Sequence, residues 1–404
     1  MRWGVAVYLT REEERVLDGF EGEAKALAMK VVVRVGEVLG AEKLVPIKNA
    51  HISGISYKNI GEEGLAFIEK LAGEGARFSV PTTLNPGAFD LAGWQRMNVD
   101  EKILSGQLRI IDAFRRMGAA ITLSCTPYLY ANISYGDHLA WSESNAVLYA
   151  NSVVGARTNR DGGPLALFEA IAGRAPLAGL HLEENRRPML LIDFSSVGEK
   201  VVEKGIFSAA GLVAGRIAGA TVPLVKGLRF SGSDELKLFL AAAGATGGTG
   251  LVLVDSISPD LRFAKWNPVE GIERVGVEWS TLQEELERHS GAGEGVVVLG
   301  CPHLSPSELK DIISWLRRHG RPKRRLILFT SRAAVGEAEK RAAEEAGAEL
   351  FTDTCMVVSE LSKYAGREFV TDSGKAAFYL ASQGYLVKLL SRGEALKYAL
   401  GDSA

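Results

Sequence analysis

An α/β architecture with several lobes and mainly parallel sheets is predicted by three observations. Short apolar runs alternate with amphipathic stretches along the whole chain, and the last third repeats strand, helix, strand most clearly. The 404 residues, 47% hydrophobic and 24% charged, suffice for about two or three globular units. Crossovers joining such strands are right-handed, which makes the sheets mostly parallel.

Taken in order, Thr10 and Glu13 form a capping-box signature ahead of a helix running towards Leu39. A second helix is expected over 61–71, and a strand over 77–80 ending in Pro81-Thr82-Thr83. The run 119–123 reads as a strand before Ser124-Cys125-Thr126-Pro127, and 142–154 as a helix closed by Gly155. The polar stretch Glu183-Glu184-Asn185-Arg186 marks a boundary, so a first lobe spans 1–185. A middle block, 186–290, opens with a strand at 187–194 and holds another at 250–255. The last lobe, 291–404, places strands at 295–300, 326–329 and 348–351, helices at 307–319 and 333–347, and a short helix at 376–380.

Charge narrows the functional classes. A net charge of −2 and a pI near 6.4 supply no basic field for nucleic acid or an anionic membrane surface. The apolar stretch at 1–9 runs straight into Arg11-Glu12-Glu13-Glu14-Arg15, unlike a secretory signal. The apolar segment 209–225 contains Arg216 and falls short of the ~20 residues a membrane-spanning helix needs. A cytoplasmic protein is expected.

The chain has three cysteines, Cys125, Cys301 and Cys355, and each follows an expected strand. Cysteine is commonly an inert, buried small hydrophobe. Here, however, Pro127, Pro302 and Asp353 mark each as the place where a strand gives way to a loop. Ligands collect at the carboxyl ends of strands in α/β folds. An odd number of thiols in a reducing compartment points away from a disulfide framework. Three thiolates suit a metal centre that keeps one position open.

Other segments carry weaker signals. The loop His51-Ile52-Ser53-Gly54-Ile55-Ser56 is built of small residues whose N–H groups suit an anion. Thr371-Asp372-Ser373-Gly374-Lys375 opens a helix and adds an ammonium. Asn85 lies in an Asn-Pro-Gly turn after a strand, and Glu143 near a helix start is a candidate acid, base or polar clamp. The glycine-rich turn 244–250 lacks the strand-to-helix phosphate-binding patterns, so no nucleotide site is assigned.

The words HISGISYKNIG, TTLNPGAFD, SCTPYL, WSESNAVLYANSVVGARTNRDGGP, GCPHLS, TDTCMVV and TDSGKAAFY, in that order, resemble the large subunit of the aconitase X family over nearly the whole chain. The likeness is greatest to the archaeal members that act on phosphomevalonate. The resemblance implies α/β domains around an iron–sulfur cluster, and a swivelling domain supplied by a separate small subunit. It implies that Cys125, Cys301 and Cys355 hold a [4Fe–4S] cluster with one open iron. It places substrate contacts on Gly54, Ile55, Ser56, Asn85, Pro86, Glu143, Ser144 and Lys375, with Arg157 and Asn159 as further polar candidates. The implied reaction is dehydration of (R)-5-phosphomevalonate to trans-anhydromevalonate 5-phosphate in isoprenoid biosynthesis. The base would lie on the partner, with Glu143 the candidate in this chain. Two alternatives stand beside it: dehydration of cis-3-hydroxy-L-proline on a [2Fe–2S] centre, and a non-catalytic protein whose three thiolates and His303 or His138 bind structural zinc.

Overall fold

A computed structural model describes residues 6–264, 271–291 and 295–402. The chain ends and the rest of the 1–9 apolar stretch lie outside them. The fold is α/β, with four small sheets, three of them wholly parallel.

In the first part of the chain, β1 (Leu44–Pro46), β2 (Asn49–Ile52), β3 (Thr82–Leu84), β4 (Leu139–Trp141) and β5 (Arg174–Pro176) form two sheets. β1 and β5 pair antiparallel, and the order β3-β2-β4 is parallel throughout. The middle sheet has the order β8-β7-β6-β9, built from β6 (Leu190–Asp193), β7 (Pro223–Lys226), β8 (Leu253–Val254) and β9 (Glu273–Gly276). The last has the order β12-β11-β10-β13-β14, from β10 (Val296–Leu304), β11 (Leu326–Thr330), β12 (Glu349–Phe351), β13 (Glu368–Thr371) and β14 (Leu386–Leu389). Fully buried apolar runs such as the LILFT of β11 are what a sheet covered on both faces requires.

One apolar core lies within the first part, around Met29, Leu65, Ile110 and Phe114. A second is shared: Phe194, Phe239 and Leu212 of the middle part join Phe329, Phe351 and Phe369 of the last, with Phe89 and Leu148 from the first. The three parts therefore meet over packed apolar surface rather than across a wet cleft alone.

The structure corrects several expected elements. The single helix from Thr10 towards Leu39 is two, Arg11–Leu17 and Glu23–Leu39, separated by Gly19 and Gly22 at φ of 88° and 97°. The capping box of Thr10 and Glu13 is present. Residues 77–80 do not pair as a strand; Phe78 and Ser79 bond single carbonyls of Met117 and Ala170, and the ladder starts at Thr82. Residues 119–123 make only one isolated bridge, Thr83 with Ala120. Cys301 sits inside β10, not after it, where the register slips between Leu299 and Leu304. The helix expected over 142–154 is α-helical only at Ser144–Tyr149, and Ala150–Val154 is π-helical up to Gly155.

Candidate active site

The parallel strands of the first and last parts deliver their carboxyl ends to one cavity of about 380 Å³. β2 leads into Ser53-Gly54-Ile55-Ser56, β3 into Asn85-Pro86, and β4 into Ser142-Glu143-Ser144; all of these line the cavity. From the last part come Cys301, Cys355 and Lys375, and Cys125 completes the set. Residues far apart in sequence, from two separate parallel sheets, thus line one cavity, as ligand loops gathering at the carboxyl ends of strands allow.

Each loop is tied by specific bonds. Ser142 Oγ donates to the His51 carbonyl at 3.0 Å and accepts from the Ser53 N–H at 2.7 Å, joining the first and third loops. Buried Gln107 accepts from the N–H groups of Tyr57 and Ala88 and donates to the Ile55 carbonyl, holding the two flanking loops at once. Gly163 begins the next helix so close to Ser53 that a Cβ there would stand 2.3 Å from the Ser53 carbonyl oxygen.

The three cysteine segments converge on His303. Its N–H donates to the Cys125 sulfur at 3.3 Å, and its imidazole meets the Thr354 carbonyl, beside Cys355, at 2.8 Å. Cys125 is carried by Ser124, whose N–H bonds Leu84 at the end of β3. Cys355 is carried by Asp353, which bonds Gly87 through its backbone and Arg332 through its carboxylate. All three thiols are free and buried. Burial pushes each above its ordinary range, Cys301 to about 12. Buried thiols surrounded by polar loops fit a cationic metal group, which would hold them as thiolates.

The zinc alternative is not supported by the side chains it needs. The His303 imidazole turns to Thr354 and Ser124, and His138 pairs ring to ring with His181, Nδ1 to Nδ1 at 2.9 Å. Among the described residues, no three His, Cys, Asp or Glu group as they would around a single metal ion. Ligands to separate irons of a cluster are not bound by that requirement.

Glu143 is the electrostatic centre of the cavity. Its carboxylate pairs with the Lys375 ammonium and accepts from Asn85 Nδ2 at 2.8 Å, Asn145 Nδ2 at 2.9 Å and Ser144 Oγ at 3.3 Å. Burial raises its pKa, but the Lys375 charge and these hydrogen bonds prevail and hold it at about 2. A carboxylate so held is a fixed acceptor that orients its neighbours, a clamp rather than a proton carrier.

Arg157 and Asn159 stand elsewhere. Arg157 lies over the Tyr135 ring, and Asn159 bonds the backbone at Ala178 and Leu180. The cavity takes the next residues instead, Arg160, Asp161 and Gly162. The two triplets are adjacent in the GARTNRDGG run, and a polar loop has no periodicity to say which member turns inward.

Comparison with known proteins agrees with this architecture. Family models described as aconitase X first, second and third domains match residues 6–184, 188–287 and 295–401. A phosphomevalonate dehydratase large subunit from Methanothermobacter thermautotrophicus is 40% identical over 382 residues, covering 93% of this chain and 94% of that one. The protein of the same name from Thermococcus kodakarensis is 39% identical, covering 95% and 97%. A cis-3-hydroxy-L-proline dehydratase from Pseudomonas aeruginosa is 35% identical, but the match covers 91% of this chain and only 65% of the relative. The crystal structure of Thermococcus kodakaraensis aconitase X in its holo-form superposes with a TM-score of 0.88 at 37% identity, over 97% of this chain and 100% of that one. With all three domain models matched and relatives this similar over their full length, the chain belongs to the aconitase X family.

Proposed function

We propose that this chain is the large subunit of a hydro-lyase that dehydrates (R)-5-phosphomevalonate to trans-anhydromevalonate 5-phosphate, a step of isoprenoid biosynthesis by the mevalonate route. The observation that carries it is the meeting of Cys125, Cys301 and Cys355 with the Glu143–Lys375 pair in one cavity. The substrate choice is supported by identity: relatives named for phosphomevalonate are 40% and 39% identical, the hydroxyproline enzyme 35%. The words "large subunit" in the names of these relatives support a small-subunit partner.

In this account Cys125, Cys301 and Cys355 hold a [4Fe–4S] cluster. When bound there by these three thiolates, the cluster would supply Lewis-acid chemistry toward the C3 hydroxyl. The chain's own residues bind and orient. Asn85 and Ser144, fixed against Glu143, face the substrate with an amide and a hydroxyl, and Lys375 adds positive charge beside its carboxylate. Ile55 and Ser56, at the start of the helix Tyr57–Gly73, offer backbone N–H groups, with Gly54 at φ 74° turning the loop and Pro86 also lining the cavity. Breaking the C3–O bond releases water while a base takes the C2 proton; that base is assigned to the small subunit, because Glu143 is committed to Lys375.

The test is co-expression with a candidate small subunit, anaerobic purification, and assay with each substrate. Turnover of phosphomevalonate is expected. Turnover of cis-3-hydroxy-L-proline with none of phosphomevalonate would replace this reading.

A further inference from the structure

Four charged side chains line the cavity: Glu143, Lys375, Arg160 and Asp161. Two of them cancel, since Lys375 is ion-paired with Glu143. Arg160 makes no ion pair among the described residues; its one hydrogen bond runs from Nη1 to the Gly247 carbonyl at 2.6 Å. Asp161, next to it in sequence, forms no ion pair with it among the described residues; its Oδ2 is buried without a partner, and burial raises the carboxyl to about 6. Behind it Glu169, also buried with both oxygens unpartnered, is raised far above its usual range by burial and by Asp161. Among the described residues, Arg160 is thus the cation lining the cavity that has no ion-pair partner.

Its position is set from outside the cavity wall. No described residue of 186–290 lines the cavity, yet Gly247, at the end of the helix Ser233–Thr246, grips the guanidinium from the middle part of the chain. One N–H is used, and four of the five guanidinium donors remain. Lys375 pairs with Glu143, and its charge acts on Cys301 and Cys125. In phosphomevalonate the carboxylate adjoins the reacting carbons and the phosphate lies at the far end of the chain. A planar guanidinium suits a phosphate through paired hydrogen bonds.

We propose that Arg160, aimed by the Gly247 carbonyl, recognises the substrate's phosphate and sets preference for a phosphorylated acid, a role that rests on the dehydratase reading above. The experiment measures, on the complex with its small subunit, the affinity for (R)-5-phosphomevalonate and (R)-mevalonate by calorimetry, with wild type, Arg160→Gln and Arg160→Lys. Arg160→Gln should weaken phosphomevalonate by about 100-fold while leaving mevalonate unchanged, with iron content intact and partial recovery in Arg160→Lys. Equal losses on both ligands, or undiminished affinity for the phosphate ester, would overturn the assignment. Absence of phosphomevalonate turnover by the wild-type complex would instead remove the dehydratase reading itself.

Discussion

The backbone N–H of His303 donates to the Cys125 sulfur at 3.3 Å, while its imidazole reaches the Thr354 carbonyl next to Cys355. One residue, two positions beyond Cys301, therefore fastens all three cysteine segments together. His303→Ala keeps the N–H but loses the imidazole, leaving a buried void and an unpaired carbonyl. It should cost roughly 2–4 kcal/mol and lower bound iron. Urea denaturation and an iron count check this; unchanged values for both would show that the segments hold without it.

The Glu143–Lys375 pair spans the first and last parts of the chain. Removing either partner strands a buried charge, so Lys375→Met and Glu143→Gln should each cost roughly 3–5 kcal/mol besides weakening substrate binding. The double variant should cost clearly less than the sum. A double-mutant cycle by chemical denaturation measures the difference, and strict additivity would mean that the pair is not coupled.

How much of this was legible in the sequence differs by residue. Cys301, Cys355 and Lys375 were legible because long apolar runs and a Thr-Asp-Ser-Gly helix start frame them. The strand expected before Cys125 is only one bridge, and the hydrogen bonds to β3 carry the segment. Gln107 and Arg160 were missed, because a helical glutamine bridging two loops and an arginine held by a distant carbonyl depend on contacts no local pattern reports. The break in the first helix rests on Gly19 and Gly22, whose positive φ values the capping signature at Thr10 does not report.

Gly163→Ala tests the first loop without touching charge. The added methyl meets the Ser53 carbonyl, so the loop or the helix start must shift. kcat/KM should fall on the order of 10- to 100-fold with iron retained. Full activity would show that the loop is not a substrate contact.

Glu308 joins the middle and last parts through Lys237 and, at 2.7 Å, Arg392. Burial raises its pKa, but the charges of Lys237 and Arg392 outweigh this and leave it at about 2, below its ordinary 4.5. A depressed carboxylate contributes stability that is complete above the unfolded pKa and is lost as pH falls through the folded value. Glu308→Gln should therefore lower stability by roughly 3–5 kcal/mol at neutral pH. The gap from wild type should close between about pH 5 and pH 2. Denaturation curves across that range check it, and a gap independent of pH would assign the loss to packing.

The central claim is that Cys125, Cys301 and Cys355 hold one iron–sulfur cluster. Iron and acid-labile sulfide counted on anaerobically purified protein test it most directly, in wild type and Cys301→Ser. The account predicts about four of each per chain, a sharp loss in the variant, and an otherwise intact fold. Zinc without iron or sulfide in the wild type, or a full cluster in Cys301→Ser, would contradict it.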